Sequence, residues 1–222
     1  MRRMGKRLIE LDHVISGGMV TYPGLPGPEI SDHLSRDASR GHYAPGTEFQ
    51  IGRITMVANT GTYVDSPWHR YEAGADLAAM PLSSLVDLEG LVVPVPSVNA
   101  VDSRVLDPYE VSGKAVLIRT GWDRHWGTSE YGAGGHPHLT EDGAAWLVAH
   151  GAALVGIDSL NVDSTSGGDR PAHSLLLAAG IPVVEHLTGL EALPPTGFRF
   201  FAAPPRIAGL GSFPVRAFAI IA

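Results

Sequence analysis

The chain contains no Cys, so imidazoles and carboxylates must carry most of any proton-transfer or metal chemistry. Thiolate nucleophiles, thiolate metal sites and disulfide frameworks are excluded. Any metal must be held by His, carboxylate or amide oxygen. The densest polar information lies in Asn59-Thr60-Gly61-Thr62-Tyr63-Val64-Asp65-Ser66-Pro67-Trp68-His69. Gly61 permits a tight turn, and Pro67 opposes a regular helix after it. Asp65 and His69 follow in a shaped loop and are able to converge on one point. Taken alone, the pair has a plainer reading: Asp65 caps the turn and His69 is satisfied at the surface.

Glu185 stands in an apolar run, Ile181 to Leu187. Alternation puts Ile181, Val183, Glu185 and Leu187 on one face, and Pro182, Val184 and His186 on the other. A carboxylate among Ile, Val and Leu is costly to bury unless paired. That marks Glu185 as a site residue and leaves His186 structural. His173 is expected at a helix start, where the positive end of the dipole keeps the ring neutral. Neutral imidazole is what a metal or a general base requires; a capping or surface His is the alternative. His136-x-His138 resembles a metal pair, but its Gly-rich surroundings read as a mobile loop. Asp158 and Asp163 read as loop-stabilising. Tyr22, Trp68, Trp122 and Trp126 are either walls of an apolar pocket or ordinary core and surface aromatics.

These residues must be positioned by short elements, because 27 Gly and 17 Pro punctuate the 222 residues. Residues 17–48 read as one long loop, a lid or an arm over a neighbouring subunit. Strands are predicted over 49–58, 90–95 and 114–119, then over 152–158 and 181–187. Thr140 caps a helix whose Glu141 and Asp142 suit the positive dipole end, and Gly151 terminates it. A second helix runs from His173 to Ala179 and stops at Gly180. Strand, helix, strand predicts parallel pairing late in the chain. The earlier strands, joined by turns, are expected to be antiparallel. The class is a mixed α/β or α+β single domain over 1–222.

Composition is that of an ordinary globular protein, with 44% hydrophobic and 18% charged residues. The net charge of −7 argues against nucleic-acid or anionic-membrane partners. The basic start, Met1-Arg2-Arg3-Met4-Gly5-Lys6-Arg7, reads as solvated; Glu10, Asp12 and His13 break the apolar run a signal peptide needs. A cytoplasmic protein with a small-molecule substrate is expected.

The segment 59–69 resembles the signature of the cyclase family, which includes bacterial kynurenine formamidase and isatin hydrolase. The family pattern is His-x-Gly-Thr-His-x-Asp-x-Pro-x-His. Gly61, Thr62, Asp65, Pro67 and His69 match it, whereas Asn59 and Tyr63 replace two His. The likeness extends over nearly the whole chain: Leu11-Asp12-His13, Arg119-Thr120-Gly121-Trp122, Gly156-Ile157-Asp158-Ser159, His173 with Glu185, and the closing 202–207 and 214–217 also fit. The resemblance implies a barrel-like mixed sheet flanked by helices, and a homodimer or homotetramer whose N-terminal loops help complete neighbouring sites. It also implies a divalent-metal amidohydrolase, using zinc or manganese, that opens formamides, cyclic amides or lactones. Carried over by position, Asp65, His173 and Glu185 are ligand candidates and His69 is the acid/base.

The departures bear on that assignment. Asn oxygen is a weak ligand where imidazole is strong, and a Tyr must lose a proton of pKa near 10 to ligate as phenolate. Two carboxylates with one His favour manganese or iron. Three readings stay open. The first is hydrolysis at a weakened metal site. The second is a metal-free lyase, dehydratase or cyclase acting on a small carbonyl compound, with His69 and Tyr63 catalytic. The third is a non-catalytic binder. Asn59, Tyr22, Trp68 and Trp122 are the substrate-binding candidates.

Overall fold

The computed structural model describes residues 6–221, so residues 1–5 of the basic start lie outside the described residues. The chain opens with β1 (Arg7–Glu10) and then builds a small arm. In the arm, β2 (Glu29–Leu34) leads into a single helical turn, α1 (Arg36–Ser39), and pairs antiparallel with β3 (Ile51–Thr55). The loop expected over 17–48 is thus partly structured. The strand expected over 49–58 is the shorter β3, which joins the arm and not the main sheet. Both arm strands are exposed almost throughout. A strand that buries neither face leaves no alternation to read.

The remaining elements follow in chain order. β4 (Tyr63–Asp65), β5 (Leu88–Pro94) and β6 (Ala100–Val101) precede the turn α2 (Ser103–Leu106). β7 (Lys114–Arg119) and β8 (His138–Leu139) precede α3 (Glu141–Ala149). β9 (Leu154–Ile157), α4 (Pro171–Ala178) and β10 (Val183–Glu185) form a crossover unit. β11 (Phe198–Phe201), β12 (Ser212–Pro214) and β13 (Phe218–Ile221) close the chain. Thr140 caps α3 as expected, its hydroxyl accepting from Gly143 N at 3.1 Å.

Nine strands form one curled, half-barrel sheet in the order β1-β13-β11-β5-β7-β9-β10-β4-β12. Its centre is parallel: β5 with β7, β7 with β9, and β9 with β10. Parallel pairing of β9 and β10 is as expected, but that of β5 and β7 corrects the antiparallel expectation. No tight turn joins β5 to β7; the connection carries β6 and α2 and is long enough to cross over. The outer strands are antiparallel.

Both faces of the centre are buried, which is why its strands read as continuous apolar runs. Val116 and Ile118 of β7 and Val155 and Ile157 of β9 pack under α3 and α4 with Leu147, Leu176 and Leu177. Ala115, Leu117 and Leu154 turn the other way, against Leu11, Phe198 and Phe200, where the sheet curls over itself. The architecture is a mixed α+β single domain. No helix among the described residues is long and apolar enough to cross a membrane.

Candidate active site

Strand register assembles the site. β4 lies between β10 and β12, with Tyr63 opposite Glu185 and Asp65 opposite Ser212. Cross-strand partners and residues two apart share a face. Tyr63, Asp65, Glu185 and Ser212 therefore all project to the side covered by α4. That helix presents His173 from its first turn to the same place. After Asp65 the chain makes a single 3-10 turn, Pro67–His69, which swings His69 back over the strand end. Gly211 packs against this turn so closely that a Cβ there would stand 2.4 Å from His69 N.

The four expected residues come together. His173 Nε2 lies 3.4 Å from Asp65 Oδ2 and 3.6 Å from Glu185 Oε1. His69 Nδ1 lies 3.7 Å from Asp65 Oδ1. Asp65, His173 and Glu185 are buried, while the His69 side chain is 37% exposed. His69, His173 and Glu185 line a cavity of about 850 Å³ with Tyr22, Asn59, Tyr63 and Asn161, and Asp65 lies behind them against His173. Trp68 and Trp122 do not line it, contrary to their expected substrate-binding place. Trp68 faces solvent, and the Trp122 indole N–H donates to Tyr131 O at 3.1 Å. Trp126 instead walls a second cavity of about 650 Å³ with Tyr131.

Three groups support the floor that the sequence does not place in the site. Asp163, read only as loop-stabilising, accepts His173 Nδ1–H at 2.6 Å and the α4 amides of Ala172 and His173 at 2.6 and 3.0 Å. It fixes the orientation of the His173 ring, so that Nε2 faces Asp65 and Glu185. Ser212 donates to Asp65 Oδ1, and its oxygen lies 2.8 Å from His69 Nδ1. A carboxylate only accepts, so His69 Nδ1 must be the donor to Ser212, and in the neutral ring Nε2 then carries the lone pair. Asn161 donates to Tyr22 Oη at 2.8 Å. Ser212 and Asn161 gave no sequence signal, since their roles arise from long-range register. Asp158 is loop-stabilising as expected, accepting from Thr120 N, Thr120 Oγ1 and Gly121 N.

Tyr63 and Glu185 form the most buried pair. Tyr63 Oη donates to Glu185 Oε2 at 2.5 Å, and Val162 N donates to Oε1 at 2.6 Å. Burial first, and then the Glu185 charge, push the Tyr63 phenol well above its ordinary range. Tyr63 is thus held as a hydrogen-bond donor and not as a phenolate. Burial and the neighbouring Asp65 raise Glu185 to about 7, against the pull of His173. Burial alone would lower His173, but Glu185, Asp163 and Asp65 outweigh it and raise the ring to about 10. The helix-end argument for a neutral His173 therefore fails for the chain by itself. Three carboxylates close to the ring outweigh one helix dipole.

Two other expectations are corrected. Leu187 packs with Val184 and not on the Glu185 face. His186, with φ of +56°, turns the chain and ends the alternation. His136 is buried, bonded to Ser159 Oγ and Thr165 Oγ1 at 3.2 Å, and does not lie in a loose loop.

Do these residues suit a cation? Asp65 Oδ2 is buried and makes no well-formed hydrogen bond; it faces only the His173 ring at 3.4 Å, a poorly satisfied state for a carboxylate. Donor atoms of Asp65, His69 and His173 all lie within 4.8 Å of one another. Ligands about 2.0–2.2 Å from a tetrahedral ion stand about 3.3–3.6 Å apart. The spacings of 3.4 and 3.6 Å around His173 Nε2 fall in that range. Asp65 and His173 fit a divalent ion; Glu185, expected as a third ligand, lies outside this close group and meets it only through His173 Nε2.

A family model described as "Putative cyclase" matches residues 9–164. This chain belongs to the cyclase family. The matched segment contains Asp65 and His69 and ends before His173 and Glu185. The chain is 27% identical to "Cyclase-like protein 2" of Oryza sativa subsp. japonica over 96% of its own length and 78% of that protein. It is 25% identical to "Kynurenine formamidase" of Bacillus mycoides, covering 94% of this chain and 95% of the relative. Isatin hydrolase A from Labrenzia aggregata, solved with benzyl benzoate, superposes with a TM-score of 0.83 at 22% identity, covering 97% of this chain and 94% of the other. The expected half-barrel fold of this cyclase-family chain is thereby shown.

Proposed function

We propose that this cyclase-family chain is a metal-dependent hydrolase that opens a small formamide, cyclic amide or lactone. The observation that carries the reading is the poorly satisfied, buried Asp65 Oδ2 facing His173 Nε2 at 3.4 Å. Asp65, His173 and Glu185 would hold one divalent ion, manganese or zinc, with Tyr63 restraining Glu185 where the family motif has a His. When bound, such an ion supplies Lewis acidity, bringing the pKa of water towards neutrality and polarising a carbonyl. The chain's own part is proton transfer. His69, at the cavity mouth with Nε2 free, takes the proton of the attacking water and returns it to the departing nitrogen or oxygen. Ser212 holds that tautomer. Asn59 and Tyr22 line the substrate space.

The test is a panel of aryl formamides, cyclic imides and lactones assayed before and after chelation. Turnover lost with chelator and restored by manganese or zinc supports the reading. Turnover indifferent to chelator overturns it in favour of a metal-free lyase, dehydratase or cyclase. One observation favours that second reading: the Tyr63–Glu185 bond satisfies the carboxylate without an ion. The arm, with Ile30, Ile51 and Ile54 about half exposed, is assigned to a neighbouring subunit of a homodimer or homotetramer; light scattering that returns a monomer mass would overturn this. We further propose a cytoplasmic protein with neither nucleic acid nor membrane as a partner, a reading supported by its net charge of −7.

A further inference from the structure

The deep end of the site is acidic, with Glu185 lining the cavity and Asp65 behind it on the other side of His173, yet two arginines line the same cavity nearer its mouth. Arg70 follows His69 directly. Arg170 precedes α4. Ser174 links them: Arg70 Nε donates to Ser174 Oγ at 3.3 Å, and that hydroxyl donates to Arg170 O at 2.7 Å. The Arg70 guanidinium is thus tied to the first turn of α4, which also bears His173, and Arg170 stands immediately before that turn.

Arg170 is half-buried and pinned. Its Nη1 donates to the carbonyls of Ser164, Gly167 and Asp169 at 3.2, 2.9 and 2.7 Å, which leaves Nε and Nη2 without a hydrogen-bond partner among the described residues. Among the described residues, neither Arg70 nor Arg170 has a carboxylate within 4 Å. Arg40, Arg104, Arg199 and Arg216 are each paired on the surface, while Arg7, Arg124 and Arg206 bond to carbonyls as Arg170 does but lie off the cavity. A guanidinium fixed by neutral carbonyls keeps its full charge and offers a planar fork to a planar anion. Glu141 and Asp169 also line the mouth; both are exposed, and they repel a second negative charge.

We propose that Arg70 and Arg170 make this cavity selective for a monocarboxylate substrate, held by its carboxylate at the rim with its uncharged scissile amide or ester at the floor. The inference rests on the hydrolase reading for the second half of that statement only. Charge segregation supplies the orientation: floor carboxylates repel the anionic end, and rim arginines attract it. Neutral ring compounds would lack this anchor.

The test uses two probe pairs on the full chain, with and without manganese. Binding of 4-aminobenzoate and of aniline is measured by calorimetry; neither has a bond to hydrolyse. Hydrolysis of 4-formamidobenzoate and of formanilide is compared as kcat/KM. The expected preference for the carboxylate probe is about tenfold or more, the worth of one charged hydrogen bond. In Arg70→Met that preference should collapse to about threefold or less. Arg170→Met should act likewise, but it also strips three carbonyls of their donor, so Arg70→Met decides. Equal binding of both probes by the unaltered chain overturns the inference. A preference that survives in both variants also overturns it, because the carboxylate is then held elsewhere. If no formamide turns over while the arginine-dependent binding preference persists, the hydrolase reading fails and the anion site stands.

Discussion

On the floor of the site, Asp65, His173 and Glu185 are buried, and each is fixed by another residue: Ser212, Asp163, and Tyr63 with Val162. At the rim, His69 and Arg70 are exposed, and each is held by one serine hydroxyl. The floor is built from register within three neighbouring strands and the first turn of a helix, so its geometry is shared by many contacts. The rim is built on a 3-10 turn and a helix-entry loop. Buried polar groups cost most when half satisfied, so floor changes should propagate into metal binding. Rim changes should alter turnover or selectivity and leave the fold alone.

The sharpest break is Asp65→Asn. It should abolish both metal retention and chelator-sensitive turnover, read by elemental analysis and by the formamide assay. His69→Ala should lower kcat by about 10²–10⁴-fold, the range for losing a general acid–base group. Metal content should not change, and stability should shift by no more than about 0.5 kcal/mol, as for an exposed site. A His69 variant that loses its metal would erase the distinction between floor and rim. Asp163→Asn should weaken metal binding by about 10–100-fold, the effect of removing a group that orients a ligand; competition with a chromogenic chelator measures it.

A pH titration sharpens the floor further. Glu185 rises from 4.5 to about 7 and His173 from 6.5 to about 10 on folding of the metal-free chain. In both cases the folded state binds more protons than the unfolded state, so stability falls as pH rises. The loss from Glu185 spans about pH 4.5 to 7, and that from His173 spans about pH 6.5 to 10. Melting of the metal-free chain should therefore decline across this range. Metal should flatten the decline, since an ion takes the place of the His173 proton. The smallest effect belongs to Trp122→Phe. It should cost about 0.5–1.5 kcal/mol through its lost bond to Tyr131 O, seen by denaturant unfolding, and leave kcat unchanged because Trp122 lies off the cavity.

Much of this was legible in the residues. Glu185 declared itself as a carboxylate in an apolar strand, and Pro67 announced a bent segment that brings His69 back to Asp65. Central strands showed because both their faces are buried. What stayed hidden depends on distant register. Ser212 gains meaning only opposite Asp65 in β12, and Asn161 only beside Tyr22. Asp163 was visible, but its bond to His173 spans a loop whose path no local pattern encodes. The β2 strand was missed because it buries nothing, and the face of Leu187 because His186 turns the chain. The His173 charge was misjudged because a helix dipole can be read locally and three converging carboxylates cannot.

The most direct test of the floor as a cation site is metal stoichiometry. The chain is purified without chelator, soaked separately with manganese and with zinc, desalted and analysed for bound metal beside Asp65→Asn. The account predicts about one ion per chain, absent from the variant. No retained metal in the unaltered chain after either soak, or equal metal in both proteins, would contradict it.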